Sequence, residues 1–205
     1  MRTDAVPHLA DRRHDLTEEQ AAEQGLVARA RSGDRSAFRE IVERYEGLVA
    51  ATVIGMMGPG PEAEDVGQKT FIRFYTALDQ YRGEGGLAPY LTRIAVNLSL
   101  NAIEDRKRRR RRFTSRDAGD EWSLESSAGP AGETPPFDER EIVHRAIDAL
   151  SPEHRSVVVL RLINGYSTKE TAEMLGIPVG TVLSRLNRAQ QILRDLLGPY
   201  LQDEP

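Results

Sequence analysis

The sequence predicts an all-α protein of two small helical domains joined by a flexible acidic linker, the C-terminal domain being a helix-turn-helix. Three observations predict it. Apolar residues return at three- and four-residue steps through both halves, and no alternating run is long enough to force a sheet. Between Phe113 and about Phe137 the composition turns to Ser, Gly, Pro, Glu and Asp, where Gly129-Pro130 and Pro135-Pro136 exclude regular helix. Near the C-terminus, Ser167 to Leu197 spell a capped helix, a glycine turn and a second helix carrying arginines.

In chain order, residues 1–21 show no clear periodicity and read as a mobile arm. The first helical domain spans residues 22–112. Leu26, Val27 and Ala30 make a short apolar face that ends near Ser32-Gly33-Asp34. Phe38, Ile41, Val42, Tyr45, Leu48, Val49 and Val53 form a long stripe, broken by Met57-Gly58-Pro59-Gly60. Pro61 opens the next helix, with Glu62, Glu64 and Asp65 at its electropositive start and Phe71, Phe74, Tyr75 and Leu78 on its apolar face. A glycine-rich loop, Tyr81 to Pro89, leads to a helix that carries Leu91, Ile94, Ala95, Leu98 and Ala102 and then runs into arginines. These stripes fit a compact bundle, with the aromatics as core.

The linker occupies residues 113–137, and its Trp122 and Leu124 leave open whether part of it docks. The second domain, residues 138–205, begins with Ile142, Ile147 and Leu150. Ser151-Pro152-Glu153 is then a strong helix start, supplying a cap, a first-turn proline and an acid. After a break at Gly165, Ser167 caps a helix and Glu170 completes a capping box. Ala172, Gly176 and Val182 supply the small, the left-handed and the apolar residue that two closely crossing helices need. Val182, Leu186, Ala189 and Leu193 are the buried stripe of the last helix. Thr181, Ser184, Arg185 and Arg188 fall off that stripe, free to face a phosphate backbone and base edges.

The net charge of −4 over 205 residues argues against nucleic acid only as an average. Arg106 to Arg112 reads RKRRRRR, whereas Asp117 to Glu141 is acidic with Arg140 as its single basic residue. Binding to a polyanion depends on the local patch. Hydrophobic content of 39% with 29% charged residues suits a soluble protein, and no apolar run approaches a bilayer span. With no signal-like N-terminus, the chain is expected in the cytoplasm, without membrane insertion. There is no cysteine, and His8, His14, His144 and His154 show no ligand spacing. No catalytic, metal or cofactor site is expected, and the acids at Glu62, Glu64 and Asp65 read as helix-terminal charges rather than a metal cluster.

The blocks AEDVGQKTFIRFYTALDQYRG, YLTRIAVNLSLNAIEDRKRRR and ALSPEHRSVVVLRLINGYSTKETAEMLGIPVGTVLSRLNRAQQIL, in this order around an acidic linker, closely resemble bacterial RNA polymerase sigma factors of the extracytoplasmic-function (ECF) group. The resemblance runs from about Leu26 to Leu197, the linker excepted. It implies a protein that is not an enzyme, binds core RNA polymerase and promoter DNA, and helps open the −10 region; many relatives are controlled by an anti-sigma factor. By the same resemblance Glu64, Asp65, Gln68, Thr70 and Phe71 dock on the polymerase clamp helices. Arg93, Asn97 and Asn101, four residues apart on one helix face, would capture the −10 strand, with Arg106, Arg108 and Arg109 attracting the duplex. Thr181, Ser184, Arg185 and Arg188 would read the −35 element. The chain departs from the family pattern at Gly67, Pro89-Tyr90, Leu183 and Asn187. An alternative is a sigma-like decoy or adaptor that binds a regulator without programming polymerase.

Overall fold

The computed structural model describes residues 9–114 and 139–201. Four helices make the first half: α1 (Leu9–Arg31), α2 (Arg35–Met57), α3 (Pro61–Thr76) and α4 (Leu87–Thr114), with a 3₁₀ turn at Leu78–Gln80. The second half holds α5 (Glu139–Asp148), α6 (Pro152–Val158), α7 (Thr168–Leu175) and α8 (Val179–Leu201), and α6 runs on into a π turn over Val159–Ile163. The described residues contain no strand.

The stripes become the core. Asp34 caps α2, its carboxylate accepting from the backbone of Ser36 and Ala37. Ile41, Val49, Val53 and Met56 of α2 meet Phe74 of α3 and Leu91 and Ala95 of α4, all buried. Phe74 lies edge-on to both Tyr81 and Tyr90 at 6.0 Å between ring centroids, the arrangement aromatic quadrupoles favour. These contacts set α3 and α4 side by side, and each keeps one exposed face.

Two boundaries differ from the sequence reading. Helix α1 begins at Leu9, inside the expected arm of residues 1–21. Residues 9–21 are mostly helix-forming types without an apolar stripe, so periodicity cannot register a helix that propensity and continuity with the packed turn at Leu26, Val27 and Ala30 extend. At the other end α4 continues through Thr114, two residues into the expected linker. The rest of that linker, Trp122 included, lies outside the described residues.

The halves meet along a seam that periodicity does not reveal. Gly55 of α2 sits against Val159 and Ile163 of the π turn. Val96 of α4 packs with Leu160 and Met174. Polar bonds stitch the same surface: Asn164 Nδ2 donates to Thr52 Oγ1 at 2.8 Å, and the hydroxyls of Thr92 and Tyr166 lie 2.9 Å apart. Burial pushes the Tyr166 phenol above its usual range, with the Thr92 bond opposing.

Candidate nucleic-acid interface

Helices α7 and α8 are set by the local chemistry read from the sequence. Ser167 Oγ accepts from Glu170 N at 3.2 Å, and Glu170 Oε2 accepts from Ser167 N at 2.8 Å, closing the capping box. Those bonds hold the Glu170 carboxyl below the ordinary range. Gly176 turns the chain at φ 64°, and the Pro178 carbonyl accepts from Thr181 N and Val182 N to start α8. Val182 and Ala189 are wholly buried, with Leu186 and Leu193 partly so. Thr181, Ser184, Arg185 and Arg188 lie together off that stripe, with Thr181 and Arg185 half-buried. Ser184 and Arg188 are exposed. Arg185 leans on Glu153 of α6, Nη2 to Oε2 3.3 Å.

On α4, Arg93, Asn97 and Asn101 are exposed and line one cleft of about 550 Å³. Arg73 of α3, Gln80 of the 3₁₀ turn and Tyr90 close its other walls. The cleft thus joins two amides from α4, a third amide, two guanidiniums and an aromatic ring. Such groups can stack on a base, bond its edge and hold a phosphate.

Along the same helix, Arg106 and Arg109 both reach Glu62 at the start of α3, at 3.7 and 3.3 Å, and Arg108 pairs with Glu104 at 3.3 Å. These are exposed pairs of small net worth, readily exchanged for phosphate.

The expected docking set divides. Glu64, Asp65 and Gln68 are exposed on α3, and Phe71 is half-buried beside them. Ile72 and Tyr75 extend this face as exposed apolar groups. Thr70 points the other way: it is fully buried, and its hydroxyl donates to the Val66 carbonyl at 2.9 Å. Its offset from Gln68 puts it on the core side of the helix, so it is corrected from a contact residue to a packing one.

The family description Sigma-70 region 2 matches residues 41–109, and Sigma-70, region 4 matches residues 140–193. The chain is 34% identical over 190 residues to the ECF RNA polymerase sigma-E factor of Escherichia coli (strain K12), spanning 90% of this chain and 98% of that protein. This chain is an ECF sigma factor. It is also 33% identical over 194 residues to the RNA polymerase sigma-H factor of Pseudomonas aeruginosa, spanning 92% of this chain and 99% of that one. Among solved structures, CnrH in complex with the cytosolic domain of CnrY is similar at a TM-score of 0.62 and 26% identity, over 87% of this chain and 98% of that chain. The sigma factor RpoE in complex with the anti-sigma factor NepR from Bartonella quintana shares the fold at a TM-score of 0.60 and 24% identity, over 82% of this chain and 98% of that chain.

Three polar groups of this sigma factor's surface escape a sequence reading. Arg73 and Gln80 reach the cleft from α3 and the 3₁₀ turn, whereas the residues singled out in the sequence, Arg93, Asn97 and Asn101, all lie on α4. Glu153 is legible as a first-turn acid, but its pairing with Arg185 needs the crossing of α6 and α8. Among the described residues no helix is long and apolar enough to cross a membrane, and no group of three or more His, Cys, Asp or Glu side chains is placed to hold a metal ion.

Proposed function

We propose that this sigma factor seats itself on core RNA polymerase through the exposed face of α3, holds the opened −10 strand in the α4 cleft, and reads the −35 element with α8. The observation that carries the reading is the convergence of Arg93, Asn97 and Asn101 on one cleft, beside the α4 arginine run. An amide can pair with a base edge, and flipping a base costs a few kcal/mol that a shaped pocket and nearby positive charge offset. Glu64, Asp65 and Gln68 supply the docking face, flanked by the apolar Ile72 and Tyr75. Thr181, Ser184, Arg185 and Arg188 face the −35 duplex from one side of α8, and the guanidiniums left there speak against a decoy. The protein makes no bonds itself, works with polymerase in the cytoplasm, and is a candidate for control by an anti-sigma factor, as family members are.

The test is run-off transcription of fragmented genomic DNA from the source organism, using its core polymerase with and without the protein. New starts that share two spaced upstream elements support the reading. Core binding without new starts favours the decoy. On a promoter found this way, Asn97→Ala should impair opening more than closed-complex formation, and charge reversal at Asp65 should weaken core binding.

A further inference from the structure

Helix α1 takes no part in the cleft, yet it grips both ends of the loop that leads into it. At the entry, Arg31 Nη2 donates to the carbonyls of Leu78 and Tyr81 at 2.8 and 2.7 Å, and Nε donates to Leu78 at 3.1 Å. At the exit, Glu23 Oε1 accepts from the N–H of Leu87, the first residue of α4, at 2.7 Å. The other oxygen, Oε2, accepts from the Tyr45 hydroxyl at 2.5 Å. Glu23 is only 9% exposed, an unusual place for a carboxylate unless its bonds are all made.

What lies between these grips is rich in glycine. Gly83, Gly85 and Gly86 all have positive φ, 78°, 76° and 86°. Glycines in this region carry the greatest conformational entropy to lose. Two of them pass directly over α1: a Cβ on Gly83 would meet the Gln24 side chain at 3.6 Å, and one on Gly86 would meet Glu23 Oε1 at 3.7 Å. Beyond the exit, Tyr90 lines the cleft, and before the entry so does Gln80. The shape of one wall and the start of α4 therefore depend on four hydrogen bonds made by two residues outside the cleft, Arg31 and Glu23.

We propose that Glu23 and Arg31 are positioning residues for −10 strand capture: α1 is a splint whose two opposite charges fix the exit and entry of the glycine loop. Glu23 also offers negative charge to the α4 N-terminus, where free N–H groups need an acceptor. Neither side chain touches DNA. The proposal rests on the assignment of the α4 cleft to the −10 strand.

The test uses the full chain as Glu23→Ala, Glu23→Gln and Arg31→Lys. Hydrogen exchange of the free protein reads the loop directly. Holoenzyme on a promoter found by run-off transcription reads opening rate, and a binding titration reads core affinity. Glu23→Ala should speed exchange at residues 82–88 and slow opening about tenfold, with core affinity within about twofold. Glu23→Gln keeps an acceptor for Leu87 N–H and should restore most of the opening rate. Arg31→Lys loses the fork that spans two carbonyls and should loosen the entry alone; it also stands in if Glu23→Ala does not fold. Unchanged exchange in the loop overturns the proposal, as does normal opening by Glu23→Ala. So does a parallel fall of opening, core affinity and melting temperature that glutamine fails to relieve. A wild-type holoenzyme that opens no promoter would sink the cleft assignment instead, and the exchange comparison would still decide the splint.

Discussion

Arg155 of α6 donates through Nη1 to the Met56 carbonyl of α2 at 2.8 Å, tying together residues 99 positions apart. The same guanidinium donates to the carbonyls of Asp148 and Leu150 and pairs with the Asp148 carboxylate at 2.9 Å. It closes the C-terminal end of α2 against the second half of the chain. Burial pulls its pKa below the ordinary value, with Asp148 opposing.

Arg155→Met would keep the side chain's bulk and strip three carbonyls of their donor, those of Met56 and Leu150 in buried bonds. It is expected to cost about 3 kcal/mol, measured by urea unfolding. A loss below about 0.5 kcal/mol would mean water replaces the guanidinium freely.

Gly55 is a tight point of the seam. A Cβ there would stand 3.0 Å from Val159 Cγ2 and 3.2 Å from Ile163 Cδ1. Gly55→Val adds further methyls to that gap and should push the halves apart, at an overpacking cost of about 1–3 kcal/mol. Small-angle scattering should show a larger radius of gyration. An unchanged radius together with unchanged stability would show that the π turn yields instead.

Gly67 is a different case. It sits inside α3, and a Cβ there meets nothing within 4 Å. Gly67→Ala should therefore stabilise the protein by about 0.5–1 kcal/mol, read as a raised melting temperature, because it removes only backbone freedom of the unfolded chain.

Arg188→Ala and Arg185→Ala should each weaken binding to a −35 duplex and flatten its salt dependence, while leaving core affinity intact. Glu153→Gln should do the reverse, because the pair at 3.3 Å holds Arg185 back from phosphate. Titrations at several salt concentrations check both, and equal loss of core and duplex binding by the arginine variants would contradict their roles.

Asp34 gives the fold an acid-sensitive point. The Ser36 hydroxyl, the Arg29 guanidinium and the Ala37 N–H hold its carboxyl far below the usual 3.8. A carboxyl depressed in the folded state contributes stability that is complete above its unfolded pKa and drains away as pH falls below it. Stability should thus decline from about pH 4 downward, and Asp34→Asn should blunt that decline. Unfolding curves of the two proteins across acid pH compare them directly.

How much of this was legible depended on sequence distance. The capping box of Ser167 and Glu170, the turn at Gly176 and the α2 stripe are local patterns, and the structure realises each. The shared face of Arg93, Asn97 and Asn101 follows from four-residue spacing alone. The partners of Arg155, Tyr166 and Asn164 lie 99, 74 and 112 residues away, and a lone polar residue in a stripe carries no sign of them. Thr70 was misplaced because a motif names positions while the helix assigns faces. Leu9 to Ala21 escaped because a helix without an apolar side has no period to read.

The seam of Gly55, Val159 and Asn164 has a consequence measured along DNA. A folded body of this size has a radius of gyration of about 17 Å, hence a breadth near 45 Å. Elements named for positions 10 and 35 base pairs upstream stand about 85 Å apart on straight duplex, at 3.4 Å per step. A compact body of that breadth spans about half of that distance. Should one molecule mark both ends at once, the Asn164–Thr52 and Tyr166–Thr92 bonds are the ones such a stretch would break.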